Sequence, residues 1–347
     1  MHKFDYSRLE EETWDSEILK YISQISEFKG RQEIILSQKP NILQNIMENV
    51  KIKSTQYSNE MEGIRLSEAR IKDLYNKRVE AKNEEEKEVL AYLEILSTIK
   101  ESYEDIPINS DTILKLHKDL YKYSDKSIGG KFKDKQNYVI ERNVKGEEFV
   151  KFTPLNPVET PDAIEKICQE YNKAIEKEEI NPLILLSVFI HDFLCIYPFN
   201  EGNGRIFRLL TTLLLYKLGY FVGRYVSLDE KIKISESYYY SSLEKSGLNW
   251  HENKENNSFF IKYILAIVLI SYKDFWDMVD LFDSNLSALD QVKNSIDKKT
   301  GKFTKNDILQ DTPTISKASV ENSLKELVDN GYIERRGKGR ATFYLKN

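Results

Sequence analysis

Cysteine is nearly absent: the 347 residues hold two, Cys168 and Cys195. Both lie in apolar helical patterns, so reduced packing cysteines in a cytosolic protein are expected, not a disulfide framework. Histidine is scarce, four in all. His117, His191 and His251 share no metal-ligand spacing and His2 is terminal, so no zinc is expected. His191 sits among Phe189, Phe193 and Leu194 and reads as a structural histidine. Charge of one sign is also lacking, with a net charge of -5. The surface as a whole therefore does not advertise nucleic-acid binding. Long apolar runs are missing: the most apolar late run, Ile264–Ile270, is far short of a membrane span, and no membrane partner is expected. The start, MHKFDYSRLEEETWD, has no apolar core after its basic residues and does not read as a signal peptide, so a cytoplasmic location is expected. No repeat or low-complexity tract stands out.

What is present is helix. Residues are 40% apolar and 31% charged, ordinary for a globular chain of two or three domains. Leu9, Trp14, Ile18, Tyr21 and Ile25 recur at helical spacing, and Pro40-Asn41 starts a helix carrying Ile42, Ile46 and Val50. Further helices are predicted at Asn83–Lys100, Thr112–Tyr121, around Ile164–Ile175, at Leu183–Ile196 and Leu209–Leu218, then Lys231–Leu243 and Phe259–Asp280. The only β signal before the C-terminus lies in Ile128–Pro157. There Tyr138-Val139-Ile140, Val144-Lys145-Gly146 and Phe149–Phe152 read as a short hairpin. From about Thr300, helices Lys305–Gln310 and Lys317–Asn330, a turn at Pro313 and strands Tyr332–Arg336 and Ala341–Leu345 resemble a winged helix-turn-helix. Its turn holds Lys338 and Arg340 beside Arg335 and Arg336, whereas its second helix holds Glu321, Glu326 and Asp329. DNA binding and a protein-docking or dimerising role therefore both stand.

The chain centres on Tyr197–Arg208, YPFNEGNGRIFR, between the two most apolar helical runs. Gly202-Asn203-Gly204 lets backbone amides turn inward together as an anion nest. A helix is predicted to start at about Arg205, adding its free N–H groups and positive dipole end. Arg205 and Arg208 share its first turn, and their guanidinium forks suit phosphate oxygens. Glu201 offers a hard oxygen for magnesium. These features together predict a nucleotide polyphosphate site.

The stretch resembles the signature of the Fic family, H-P-F-x-(D/E)-G-N-G-R-x-x-R, at every position but one: Tyr197 stands at the histidine. The likeness runs from about Ser58 to the C-terminus. It implies a protein adenylyltransferase (an AMPylator), moving AMP from Mg-ATP to a hydroxyl of a target protein or of itself. Glu201 would hold the magnesium. Gly202, Asn203 and Gly204 would cradle the α- and β-phosphates, and Arg205 and Arg208 the β- and γ-phosphates. Tyr197 takes the place of the general base. An unperturbed phenol, with a pKa near 10, is ionised to about one part in a thousand at pH 7, so nucleotide binding without efficient transfer is expected.

Ser58-Asn59-Glu60-Met61-Glu62-Gly63 resembles the family's inhibitory motif, (S/T)-x-x-x-E-(G/N). The resemblance implies that Glu62 pairs with Arg208 in cis and displaces the γ-phosphate. It also implies that the hairpin at 128–157 is a flap registering the target protein, that Tyr239 and Tyr240 border the adenine, and that the protein forms homo-oligomers. The expected fold is mainly α: a Fic helical core, a small β-hairpin flap and a C-terminal winged helix-turn-helix. The expected segments are 1–100 with the inhibitory helix, 101–285 as the core and 286–347 as the winged helix. The rival reading is a catalytically inactive Fic-type nucleotide-binding regulator, signalling through its winged helix to DNA or a protein partner.

Overall fold

The computed structural model describes residues 2–38, 40–142, 148–283, 287–312, 315–337, 339 and 342–347. It is mainly α: fourteen α-helices and two small antiparallel hairpins occur among the described residues. None of these helices is long and apolar enough to cross a membrane. The expected turns at Val144-Lys145-Gly146, Pro313, Lys338 and Arg340, with Ala341, fall outside the described residues.

Contacts divide the chain into two compact units, Met1–Glu33 with Val50–Ser271, and Ile34–Asn49 with Tyr272–Asn347. The expected segments 1–100, 101–285 and 286–347 differ from this division. The reason at the first boundary is visible in side chains: Lys53 pairs with Glu230 at 2.9 Å and Ser54 bonds Ser227 at 3.0 Å, so residues from 50 onward fold with the core.

The helices in chain order are α1 (Ser16–Gln38), α2 (Pro40–Glu60), α3 (Glu68–Tyr75), α4 (Glu84–Ser102), α5 (Ser110–Leu120), α6 (Thr160–Lys177), α7 (Pro182–Ile196) and α8 (Asn203–Lys217). After them come α9 (Leu228–Ile234), α10 (Glu236–Gly247), α11 (Ser258–Asp283), α12 (Ala288–Asp297), α13 (Lys305–Asp311) and α14 (Lys317–Asp329). The centre of the first unit is α7, with α8 behind it. Every residue of α7 from Leu183 to Ile196 is buried, as an all-round apolar helix must be. Asn181 caps its start and Pro182 takes the first turn, where a missing N–H costs nothing. Helix α6 packs on α7, and α4 and α5 pack on α8. Asn83 and Asn109 cap α4 and α5 through Glu86 N–H and Thr112 N–H. Acidic Glu84, Glu85 and Glu86 complement the dipole of α4.

Strands β1 (Val139–Arg142) and β2 (Glu148–Phe152) pair antiparallel, with a bulge between Val139 and Ile140. Where one helix was expected over Lys231–Leu243, α9 and α10 meet at a break. Ser235 turns its hydroxyl back onto Lys231 O at 2.7 Å, and such back-bonding competes with the helical ladder.

The second unit has its own core: Val292, Ile296, Phe303, Ile308, Val320, Leu324, Leu327, Ile333 and Tyr344. Strands β3 (Ile333–Arg336) and β4 (Phe343–Lys346) pair in antiparallel register, and Phe303 bridges to Tyr344. Helix, helix and hairpin follow in the predicted order, with α12 as an additional helix in front.

Leu213 is fully buried on α8. Leu213→Ala is expected to lower unfolding free energy by about 2–5 kcal/mol, read from urea titration, because a packed core does not collapse onto the cavity. A loss near zero contradicts close packing around α8.

Candidate functional site

The site forms where α7 ends and α8 begins. Tyr197 closes α7 in the left-handed region, at φ 52 and ψ 64, with its N–H on Phe193 O at 2.9 Å. Gly202, at φ +82, precedes α8, which starts at Asn203, one half-turn earlier than the sequence pattern predicts. A side chain at 202 would run into Tyr121 and Leu120.

Arg208 is the best-anchored group. Its Nε donates to Ser58 Oγ at 2.6 Å, and Nη2 donates to Ser58 O at 2.8 Å and to Glu62 Oε1 at 2.7 Å. Asp229 lies 3.8 Å from Nε. Helix α2 stops at Glu60, and Gly63 at φ +86 turns the chain, so Glu62 sits in the turn and reaches α8. Its carboxylate covers Gly204: a Cβ there would collide with Glu62 Oε1. The expected Ser58, Glu62 and Arg208 are thus together.

The other expected residues are placed differently. Arg205 is buried and turned to Glu88 Oε2 at 2.7 Å and to Tyr121 OH at 3.0 Å. Asn203 bonds its own loop twice, accepting from Phe199 N–H at 2.9 Å and donating to Phe199 O at 2.7 Å. Its amide therefore shapes the nest from within. Glu201 is half-exposed, with Lys126 Nζ at 2.8 Å from Oε2. Lys126 also reaches Glu88 Oε1 at 3.1 Å, so Glu201, Lys126, Glu88 and Arg205 form one alternating chain of charge. Tyr239 is buried and stacked on Phe207 at 5.5 Å, while Tyr240 is exposed beside it. Tyr240 is the more exposed of the two rings.

Residues 107–215 match the Fic/DOC family model. The chain therefore carries a Fic/DOC family domain over residues 107–215. It is 27% identical over 119 residues to a Fido domain-containing protein of Dictyostelium discoideum, covering 32% of this chain and 83% of that one. A Fic family protein from Desulfovibrio desulfuricans G20 shares the fold with a TM-score of 0.60 at 18% identity, covering 97% of each chain. A Fic domain containing signaling protein from Bacteroides thetaiotaomicron gives 0.59 at 25% identity, over 75% of this chain and 95% of that one. Fic-1 from C. elegans gives 0.59 at 18% identity, over 76% and 73%.

Three residues of the site had no motif to announce them. Glu88 and Tyr121 hold Arg205, and Lys126 holds Glu201. The acidic α4 and the turn after α5 look like solvated faces in one dimension. Tyr197 itself is half-buried, and burial, then Glu62 and Tyr240, raise its phenol pKa above 10; an Asn203 hydrogen bond and Arg208 oppose this and lose. His191 is buried within α7, its pKa pulled down to about 3 by burial.

His117 locks the loop as a neutral ring. Gly130 N–H donates to Nδ1 at 3.0 Å, so Nε2 carries the proton and meets Glu201 O at 3.1 Å. Phe199 stacks on the ring at 3.7 Å. Burial pulls its pKa down to about 4. The unfolded chain then binds the extra proton first, so this contribution is complete above pH ~6.5 and is lost as pH falls towards 4. Urea titrations at pH 7.5 and 5 are expected to show a larger loss in the wild type than in His117→Asn; equal losses contradict the neutral ring.

Gly204→Ala is expected to expel Glu62 from the start of α8. Hydrogen exchange across residues 57–63 should then rise to the level of Glu62→Gly, while unaltered protection shows that the carboxylate sits elsewhere.

Proposed function

We propose that this Fic protein is a protein adenylyltransferase frame, moving AMP from Mg-ATP to a hydroxyl of a target protein or of itself, held off by Glu62 and weakened at Tyr197. The observation that carries the reading is the Glu62 carboxylate above Gly204, paired with Arg208. It is a built-in anion at a helix N-terminus, where phosphate oxygens are favoured. Arg208 keeps Ser58 and Asp229 when Glu62 leaves, so release of the glutamate does not strand a buried charge.

The residues fit the implied cofactors. Gly204 lets the Glu62 carboxylate oxygen approach its backbone closely, where a phosphate oxygen would sit after exchange, and Glu201 already accepts a cationic group. Glu201 would hold magnesium, in the place its carboxylate now gives to the Lys126 ammonium. Magnesium, when bound, neutralises phosphate charge. Tyr240 offers a ring for adenine, with Tyr239 supporting it from behind. The exposed Tyr138, Val139, Ile140 and Val150 of the flap suit a target segment added as a strand.

A raised phenol pKa removes proton acceptance near pH 7, which favours a second reading: a nucleotide-binding regulator signalling through residues 286–347. Arg336 pairs with Glu334, Lys305 with Glu321 and Lys346 with Asp297, so much of the basic charge there is matched internally. This favours a protein partner over DNA.

Mass spectrometry after incubation with Mg-ATP separates the readings. Glu62→Gly combined with Tyr197→His is expected to gain AMP, and the wild type to gain about 10²–10⁴-fold less. No modification in the double variant leaves only the regulator.

A further inference from the structure

Five carbonyls at the end of α7 and in the loop before α8 accept from donors outside that loop. Cys195 O accepts from Leu155 N–H at 3.2 Å and Pro198 O from Lys133 N–H at 2.8 Å. Ile196 O accepts from Lys133 Nζ at 2.7 Å, Phe199 O from Asn137 Nδ2 at 2.9 Å and Glu201 O from His117 Nε2 at 3.1 Å. The amides of Gly202, Asn203, Gly204 and Arg205 make no backbone hydrogen bond among the described residues. Carbonyls held out and amides left in are what an anion nest needs.

Lys133 holds this loop by two bonds, one on each side of Tyr197. Its side chain is buried, 3% exposed, and no carboxylate pairs with it among the described residues. An apolar side chain would pack there without the desolvation cost of an ammonium. What the ammonium adds is a carbonyl clamp and a positive charge behind the nest.

We infer that Lys133 is a positioning residue for nucleotide binding, turning the loop carbonyls away from the phosphate cradle and placing a buried positive charge beside it. This rests on the nucleotide reading above. Burial alone brings its pKa down to about 8, which makes the charge testable by pH. The groups facing the loop from its other sides titrate elsewhere: Tyr197 is raised above 10, His117 lies at about 4, Asp134 is lowered, and Lys126 and Arg208 are raised.

The test is calorimetric titration of Mg-ATP into full-length Glu62→Gly, alone and with Lys133→Arg or Lys133→Met, from pH 7.5 to 9.5. The parent is expected to lose about tenfold in affinity across that range as the ammonium deprotonates. Lys133→Arg should bind with a flat pH profile, because its charge does not titrate. Lys133→Met should bind about tenfold more weakly at pH 7.5. A Lys133→Arg profile as steep as the parent's, or Lys133→Met binding like the parent, overturns the inference. If Lys133→Met does not fold, the arginine profile decides alone. A parent that binds no Mg-ATP at any pH defeats the nucleotide reading itself, a result distinct from a parent that binds without regard to Lys133.

Discussion

The contact between Arg208 and the turn after α2 decides what the site is. A buried guanidinium needs partners, and Ser58, Glu62 and Asp229 supply them from two distant stretches of chain. Of these, only Glu62 is partly open to solvent, at 28%. It is the partner that can leave. The pocket is therefore built around an anion it already owns, and the question for any phosphate is whether it outcompetes a tethered carboxylate.

The same logic extends to the other charges. Arg205 faces Glu88, and Glu201 faces Lys126. Each charged group expected to touch a nucleotide or its metal has an internal partner of opposite sign. Such a site stays folded without a ligand, because Arg205 and Arg208, the buried charges expected to meet phosphate, each have a carboxylate partner. A phosphate proposed to bind there would do so by exchange, and its affinity would report a difference between two sets of ion pairs.

Much of this was legible in one dimension, where spacing carried it. The apolar runs flanking Tyr197–Arg208 became α7 and α8, and the four-residue spacing of Ser58 and Glu62 placed both against Arg208. What was not legible depends on which face of a helix meets which neighbour. Tyr239 and Tyr240 are adjacent in sequence, yet one packs on Phe207 and the other is exposed. The resemblance sets Asn203 beside phosphate, but its two hydrogen bonds to Phe199 close a loop whose shape the sequence does not display. Glu88 and Lys126 sit in charged stretches indistinguishable from ordinary surface until α4 and α5 pack on α8. The raised pKa of the Tyr197 phenol likewise follows from burial, which no local pattern announces.

Arg208 and Glu62 are 146 residues apart, with the glutamate first. A ribosome delivers the chain in that order, so the turn that holds Glu62 leaves the exit tunnel long before α8. When Arg208 emerges and its helix buries it, the carboxylate that meets it is already on the outside of the ribosome. The partner waits for the guanidinium, and not the guanidinium for its partner.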